Sequence, residues 1–451
     1  MIFLSFYSKN WWLVQNFFFF FFFYIYFKIP IFNYFLNISY LFGIDIFSYL
    51  IFILGVWIIR LVYISRSSLK YNYSFYFNIL IYLFIIIFFF CFFSNNYIIF
   101  YIFYEINLIP IIILIYGWGY QYERFKAGFY LFIYIIFFSL PFFSCLLILN
   151  NLSFVFIYYY DYYNNSNIII YLFLIIIFLV KIPLFIFHIW LPKAHVEAPI
   201  SGSIILAGVI LKLGGFGIYH ILILVFKINL IYNYYFISLS LLGILILSLL
   251  CFFQRDLKIL IAYSSVVHMG LVIIGLLTLN RWGYSGSLAL MFGHGLCSSG
   301  LFCLRNICYL RFKSRRIFLN KGLINIFPFL SFWWFLLCSS NISFPPSMNL
   351  FGEIFLLIRL IIWLDYLYVF YFIIIIFMFL YSLYLYLYSQ NGKIFFNINY
   401  IMYINLSEYL LLFLHWFPLN IIFLILELFF YLNSLIKILI CGIKDYIFIF
   451  K

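Results

Sequence analysis

Long apolar stretches, interrupted by Asn, Gly, Pro or charged residues, follow one another along almost the whole chain. Most of the stretches are close to or above the roughly 20 residues that an α-helix needs to cross a bilayer. They are continuous, as in Phe17–Phe23 and Ile168–Val180, and lack the alternation of transmembrane β-strands. The pattern predicts an all-α integral membrane protein of about 13 helices, at residues 11–29, 46–64, 77–94, 97–116, 125–149, 167–190, 200–222, 234–253, 256–278, 285–308, 327–363, 366–388 and 408–431.

Two of the predicted helices contain internal prolines. Segment 327–363 is too long for one straight crossing and holds Pro345-Pro346, and segment 167–190 holds Pro183 two residues after Lys181. Proline removes a backbone donor and clashes with the preceding turn, and in lipid the freed carbonyl groups need polar partners. We therefore predict that both helices are broken at mid-depth and that the breaks face the protein interior.

The composition excludes a water-soluble fold. Of 451 residues, 69% are apolar and 8% charged, against about 45–50% and about 25% in soluble domains. The net charge of +14 has a topological explanation, because the cations concentrate in alternate connections. One set of connections holds Lys9, Arg66, Lys70, Arg124, Lys126, Lys193, Arg255, Lys258, Arg311, Lys313, Arg315, Arg316, Lys321 and Lys393, and the opposite set holds Lys28, Lys227 and Arg281. By the positive-inside rule, the cation-rich side is predicted to be the matrix of an organelle or the cytoplasm of a bacterial relative.

Six ionisable residues lie inside predicted spans. They are Glu105, Lys181, Lys212, His268, His294 and Glu353. A charge at such a depth costs at least about 2.5–3.5 kcal/mol on insertion scales, so we expect these groups to face a hydrated interior and to pair. For a single residue, a structural ion pair is the simpler explanation. Six on six different helices favour a functional site.

The chemistry of these six residues suits proton transfer. Burial favours a neutral lysine and a nearby carboxylate favours a charged one, so a changing distance from Glu105 could switch Lys181 between the two states. We predict that the two groups approach within about 4–7 Å, directly or through one water. His268 and His294 titrate closest to neutrality and could relay protons, and His188, two helical turns after Lys181, could extend the path.

Other sequence features favour structural roles. The eight cysteines contain no C-x-x-C pair, so neither zinc nor an iron–sulfur cluster has its usual ligands. The spacing of His188, His195 and Glu197 fits no known metal site, and no basic region rich in exposed aromatics suggests nucleic-acid binding. We therefore expect no metal, no cofactor and no nucleic acid. We expect structural roles for His195, His220 and His415.

The chain also shows a weak internal symmetry. Two sets of five predicted helices, within residues 77–222 and 234–388, each carry an ionisable group on the second helix and a proline break beside another on the fourth. An odd number of spans per repeat predicts that the two halves are inverted in the membrane, as in many ion carriers. Residues 1–76 then form an N-terminal region, and residues 389–451 a last helix and tail.

Several motifs together resemble one family. They are FYEINLIP at 103–110, GWGYQYER at 117–124, KIPLFIFHIWLPKAHVEAPISGS at 181–203, LKLGGFG at 211–217, AYSSVVHMG at 262–270, His294-Gly295 and Phe351-Gly352-Glu353. The stretch from residue 181 to 217 is the most specific. The chain resembles the subunit 4 family of mitochondrial NADH:ubiquinone oxidoreductase, respiratory complex I, over roughly residues 45–430.

The resemblance implies a proton-pumping subunit of the inner mitochondrial membrane. In the family, the residues that match Glu105, Lys181, Lys212, His268, His294 and Glu353 are assigned to proton translocation, while NADH oxidation occurs in other subunits. It implies no redox cofactor in this chain, neighbours equivalent to subunits 2 and 5, accessory subunits, and phospholipid or cardiolipin between them. The family usually has fourteen helices, so we expect one helix fewer before Asp45.

Two alternatives remain at this stage. A stand-alone cation/proton antiporter of the related multisubunit type shares the lysine and glutamate positions, and copurification with flavin and iron–sulfur subunits would separate the two readings. A structural spacer that has lost pumping predicts loss of the buried charges. All six of them are present.

Overall fold

A computed structural model describes residues 36–37, 42–66, 74–119, 121–152, 167–393 and 403–421. The predicted helix at 11–29, residues 153–166 and the tail after residue 421 lie outside this part of the chain. Apart from one short hairpin, in which β1 (Leu36–Asn37) pairs antiparallel with β2 (Gly43–Ile44), the described chain is helical. The predicted all-α class is confirmed.

The α-helices follow the apolar stretches. They are α1 Ile46–Arg66, α2 Ser74–Phe93, α3 Tyr97–Ile106, α4 Leu108–Trp118, α5 Arg124–Leu152, α6 Ile168–Lys181, α7 Trp190–Glu197, α8 Ile200–Ile205, α9 Leu211–Leu224, α10 Phe226–Phe252, α11 Leu257–Leu277, α12 Arg281–Phe312, α13 Leu323–Ile326, α14 Pro328–Asn341, α15 Met348–Trp363, α16 Leu367–Gln390 and α17 Leu406–Ile421. A π-helical turn, Leu206–Ile210, joins α8 to α9. Two 3₁₀ turns cover Phe187–Ile189 and Ile317–Leu319.

Within the described residues, nine helices are long and apolar enough to cross a membrane, or ten if the pair Ile317–Ile326 and Pro328–Asn341, bent by 117°, is one span. In the described part of the chain, which ends at residue 421, the twelve predicted segments that begin at residue 46 or later coincide with helical structure. Some of these helices, such as α6 and the two halves of segment 327–363, are individually short. The total of thirteen therefore stays a prediction.

Helix breaks occur at both predicted positions. Pro183 is buried as expected, but Phe344, Pro345 and Pro346 are exposed on this chain, so the prediction that both breaks face the interior is wrong for the second one. Helix α6 ends at Lys181, and the second break separates α14, which ends at Asn341, from α15, which begins at Met348. Each break contains a residue other than glycine with positive φ, Ile186 at 84° and Ser343 at 64°. L-residues adopt this region uncommonly, so the surrounding contacts must hold both turns in place.

Protein donors bond the carbonyl groups that the breaks release. Behind Pro183, the Leu179 carbonyl accepts from the Leu184 amide at 3.0 Å, and the Val180 carbonyl accepts from the Trp190 indole at 3.0 Å. At the second break, the Ser340 carbonyl accepts from the Asn349 side chain at 2.8 Å. Other protein groups thus replace these lost helical hydrogen bonds.

Two helical units form the centre of the molecule. The run from Ile200 to Leu222 and helix α12 are buried along their whole apolar length, whereas α5 and α16 expose most of theirs. Helix α12 packs against α11, α14, α15 and α17. Ionisable residues on these central helices are therefore held among other helices and away from the outer surface.

Candidate functional site

Lys181 is the last residue of α6, at the first break. Its side chain is 1% exposed, and its Nζ donates to the Tyr104 carbonyl oxygen on α3 at 3.0 Å. The same Nζ lies 2.9 Å from the centre of the Tyr104 ring. A buried ammonium gains from both contacts, since the face of an aromatic ring carries negative charge.

Glu105 follows Tyr104 on α3 and is half-buried. Glu105 and Lys181 lie within electrostatic range of each other. Among the ion pairs of the described residues, none joins the two groups within 4.0 Å, and Glu105 Oε1 has no hydrogen-bond partner there. The predicted approach to about 4–7 Å stays a prediction, and the ammonium is bound by the neighbouring residue.

Lys212 lies in the first turn of α9, directly after the π-helical turn. It is 1% exposed, and its Nζ donates to the Ala207 carbonyl oxygen within that turn. π-helical turns redirect side chains and are frequent at functional sites. The stem of Lys212 passes close to Gly295, because a Cβ on Gly295 would lie 3.3 Å from Lys212 Cε. The lysine is therefore beside the residue that follows His294.

His294 on α12 and His268 on α11 form the middle of the site. Both are fully buried, and their ring centres are 5.1 Å apart. Lys212 lies within electrostatic range of both rings. Neither ring nitrogen of His294 has a hydrogen-bond partner among the described residues. Such buried nitrogens normally bond to protein or ordered water, so this position suits a bridging water.

Glu353 lies on α15, one and a half turns after the second break. Its Oε1 is 3.8 Å from His268 Nδ1, and its Oε2 accepts from the Ser343 hydroxyl at 2.5 Å. Helix α16 contributes two hydroxyl groups. Tyr371 donates to the Glu353 main-chain carbonyl at 2.8 Å, and the Tyr381 hydroxyl lies 3.1 Å from His268 Nε2. The second break thus positions the carboxylate against the histidine.

His188 lies in the 3₁₀ turn after the first break and is half-buried. Its ring stacks on Phe185 with centres 5.7 Å apart. It lines a cleft of about 510 Å³ together with charged residues of the predicted matrix side, among them Glu123, Lys126 and Lys193. Of the candidate relay residues, His188 is the one that lines this cleft.

The other three histidines have other contacts, although His195 lies within electrostatic range of Lys212 and His294 in this row. His220 is 3.9 Å from Asp45, and His415 Nδ1 lies 2.8 Å from the Leu411 carbonyl oxygen. His195 stacks on Phe302 at 4.6 Å between ring centres. Burial, with the charges of Lys258 and Lys212, lowers the pKa of His195 to about 3, so its ring is neutral at physiological pH.

Several polar residues of the site gave no signal in the sequence. Tyr104, Tyr371 and Tyr381 are three of 44 tyrosines, and a hydroxyl on a membrane helix is not costly enough to stand out. Asn349 also escaped notice, although it is fully buried and a Cβ on Gly293 would strike its Oδ1. The breaks beside Lys181 and Glu353 were the one usable indication of where such partners lie.

The fold and the site define a class of protein: a polytopic membrane protein whose central helices carry buried lysine, histidine and glutamate side chains beside helix breaks. Within the described residues, no group of three or more His, Cys, Asp or Glu could hold a metal ion.

Family models cover most of the chain. Residues 94–380 match the transmembrane model of the NADH:quinone oxidoreductase/Mrp antiporter family, and residues 1–93 match the amino-terminal model of NADH-ubiquinone oxidoreductase chain 4. The chain is 47% identical to NADH-ubiquinone oxidoreductase chain 4 of Ceratitis capitata over 94% of its length and 96% of that relative's. The Locusta migratoria protein of the same name is also 47% identical, over 93% and 96%. The chain belongs to the NADH-ubiquinone oxidoreductase chain 4 family, the antiporter-like membrane subunits of complex I.

Solved structures share the fold at lower identity. A chain of respiratory complex I from Thermus thermophilus superposes with a TM-score of 0.76 at 22% identity, covering 84% of this chain and 81% of that one. A chain of the Mrp complex from Dietzia sp. gives 0.70 at 15% identity, over 78% and 68%. The amino-terminal match reaches residue 1, so the family likeness extends further than the motifs indicated.

Proposed function

We propose that this chain translocates protons across the inner mitochondrial membrane as a membrane subunit of complex I. The relay would run through Glu105, Lys181, Lys212, His294, His268 and Glu353, with His188 at its entrance. The observation that carries the proposal is the row in which His268 lies 5.1 Å from His294, ring centre to ring centre, and 3.8 Å from Glu353. One water, or a small movement, would bridge His268 to each of these two neighbours.

Each group in the row can hold a proton at a stated atom. Lys212 carries it on Nζ, the histidines on a ring nitrogen, and Glu353 on a carboxylate oxygen. Because all of them are buried, a positive charge on any one raises the energy of a positive charge on its neighbours and lowers that of the Glu353 carboxylate. A proton added at one end of the row therefore favours release at the other, and the chain needs no redox group for this step.

The entrance and the first lysine support the same proposal. The cleft beside His188 carries cationic and anionic side chains on the side predicted to be the matrix. Lys181 ends the helix that precedes the His188 turn, and Tyr104, next to Glu105, binds its ammonium group. A shift of the ammonium from the Tyr104 ring to the Glu105 carboxylate would change its proton affinity, since an opposite charge favours the charged lysine.

The proposal includes the number of membrane spans and their arrangement in two repeats. Thirteen spans, with inverted five-helix repeats at 77–222 and 234–388, are supported by the break in each half, after Lys181 and between Asn341 and Met348. The two relatives of this chain described above are both named NADH-ubiquinone oxidoreductase chain 4. We infer that neighbours equivalent to subunits 2 and 5, accessory subunits and phospholipid such as cardiolipin cover its exposed apolar helices. The catalytic activity is that of the whole complex.

Replacement of His268 by glutamine in the assembled complex tests the proposal. Glutamine keeps hydrogen-bonding capacity but cannot titrate, so the proton yield per electron should fall in vesicles while NADH oxidation by an artificial acceptor is unchanged. An unchanged proton yield in both His268→Gln and Glu353→Gln, at normal amounts of complex, would overturn it. Isolation of the chain free of flavin and iron–sulfur subunits would instead support the stand-alone antiporter.

A further inference from the structure

Tyr381 is the one side chain of α16 that reaches the ring of His268 with a polar atom in the described structure. It is fully buried, and its hydroxyl lies 3.1 Å from His268 Nε2. The hydroxyl is thus in hydrogen-bonding contact with one ring nitrogen. The other nitrogen, Nδ1, has no hydrogen-bond partner among the described residues. Nδ1 faces Glu353 Oε1 at 3.8 Å. The two nitrogens of His268 are therefore in different environments.

A tyrosine hydroxyl can form a hydrogen bond with Nε2 whether or not that nitrogen carries a proton. It donates to Nε2 when that nitrogen carries no proton, and its oxygen accepts from Nε2–H when it does. The hydroxyl hydrogen needs only to rotate about the C–O bond. The Glu353 carboxylate is held at one oxygen only, because Ser343 bonds Oε2 while Oε1 has no hydrogen-bond partner among the described residues. Asn341, the last residue of α14, is a second hydrogen-bonding neighbour of the His268 ring, and the Tyr381 hydroxyl is the group that reaches its Nε2.

We propose that Tyr381 is a positioning residue that holds His268 by Nε2, so that Nδ1 is the nitrogen that exchanges a proton with Glu353. The inference rests on the proposed function. In the transfer step the Nδ1–H bond of the imidazolium breaks as an O–H bond forms on Glu353 Oε1. The products are a neutral carboxylic acid and a neutral imidazole whose Nε2–H donates to the Tyr381 oxygen. No proton is gained or lost, and the step is reversible.

The distance between His268 and Glu353 shows that proton transfer needs a movement or a bridging water. A separation of 3.8 Å exceeds a hydrogen bond, which is about 2.7–3.2 Å for a nitrogen donor and an oxygen acceptor. Because Tyr381 fixes the ring, the carboxylate must approach it or a water must bridge the gap. Without the hydroxyl, the ring could rotate about its χ2 angle and turn Nδ1 away from Glu353.

Tyr381→Phe removes only the hydroxyl and tests the proposal. Tyr384→Phe is the matched control, since Tyr384 lies one turn further along α16 and packs its ring on Phe252 and Tyr388. In reconstituted complex, Tyr381→Phe should lower the proton yield per electron severalfold and increase the solvent deuterium isotope effect on coupled turnover. The infrared ring mode of His268 can be assigned by its absence in His268→Gln. In Tyr381→Phe its frequency should shift to that of the other imidazole tautomer. Tyr384→Phe should change none of these.

A double variant distinguishes action through His268 from packing. If Tyr381 acts through that ring, Tyr381→Phe should cause no further loss of proton yield in a His268→Gln background. An additive loss, or a normal yield and an unchanged ring mode in Tyr381→Phe while His268→Gln pumps poorly, would overturn the proposal and leave the relay intact. Loss of assembled complex in Tyr381→Phe alone would assign the hydroxyl a structural role and would also overturn it. Normal pumping in His268→Gln would remove the relay itself.

Discussion

Lys181 is bound by Tyr104 on two sides of its ammonium group. Nζ lies 2.9 Å from the centre of the Tyr104 ring and donates to the Tyr104 carbonyl oxygen at 3.0 Å. Glu105, the next residue, has the opposite charge. The charged end of Lys181 is thus held on the helix that carries its expected partner, by a neutral residue. We interpret the Tyr104 ring as a resting position for the ammonium beside the carboxylate.

Replacement of Tyr104 tests this resting position. Tyr104→Leu removes the ring and a contact worth about 2 kcal/mol for a desolvated ammonium, so Lys181 should shift towards Glu105 and coupled turnover should fall. Tyr104→Phe keeps the ring, and the hydroxyl it removes has no hydrogen-bond partner among the described residues. It should therefore behave like the unmodified chain. Proton uptake by reconstituted complex, normalised to its abundance, is the measurement, and equal losses in both variants would exclude the role of the ring.

The Trp190 indole supports the first break. It donates to the Val180 carbonyl oxygen, which the end of α6 leaves without a helical donor. Trp190→Phe should reduce stability by about 1–3 kcal/mol, the usual consequence of an unsatisfied buried polar group. Trp333→Phe serves as the control, because the half-buried Trp333 indole packs edge-on against Trp416. Thermal inactivation of the assembled complex measures both; equal shifts in the two variants would contradict a specific role for the hydrogen bond.

Gly217 permits α9 to pack against α6. A Cβ at this position would overlap the ring of Phe178, three residues before Lys181. Gly217→Ala should destabilise the protein by about 1–3 kcal/mol through overpacking and should also disturb Lys181. The control is Gly117→Ala, where no atom lies within 4 Å of the added Cβ and where alanine, by its helix propensity, stabilises by up to about 1 kcal/mol. The amount of intact complex in membranes should fall for the first variant only.

The sequence predicted those parts of the site whose physical cost is high. A charge inside an apolar stretch and a proline inside a helix each oppose membrane insertion or helical bonding, so Lys212, Glu353 and the two breaks were recognisable without coordinates. The structure added the arrangement: the π-helical turn before Lys212 and the contact between His268 and Glu353. Such arrangements depend on how the helices pack in three dimensions, which apolar periodicity does not determine.

Aromatic composition concealed the remaining partners. Because 27% of the chain is aromatic, Tyr104 and Tyr381 cannot be distinguished in the sequence from other tyrosines on lipid-facing or packed helices. Tyrosine carries an apolar ring and a polar tip, so its presence in a span implies no buried charge nearby. The polar function of these two residues is visible only from the distances to Lys181 and His268.

The most direct test of the relay is the proton-to-electron ratio of the Lys212→Met variant in reconstituted vesicles. Methionine matches the volume of the lysine stem and removes a charge that is costly to insert, so assembly should be normal. Lys321→Met, which removes a cation that stacks on Phe318, is the control for lost positive charge. The account predicts a lower ratio, or slower turnover where pumping is tightly coupled, for Lys212→Met alone. An unchanged ratio and turnover, at equal amounts of intact complex, would show that Lys212 is structural and would contradict the relay.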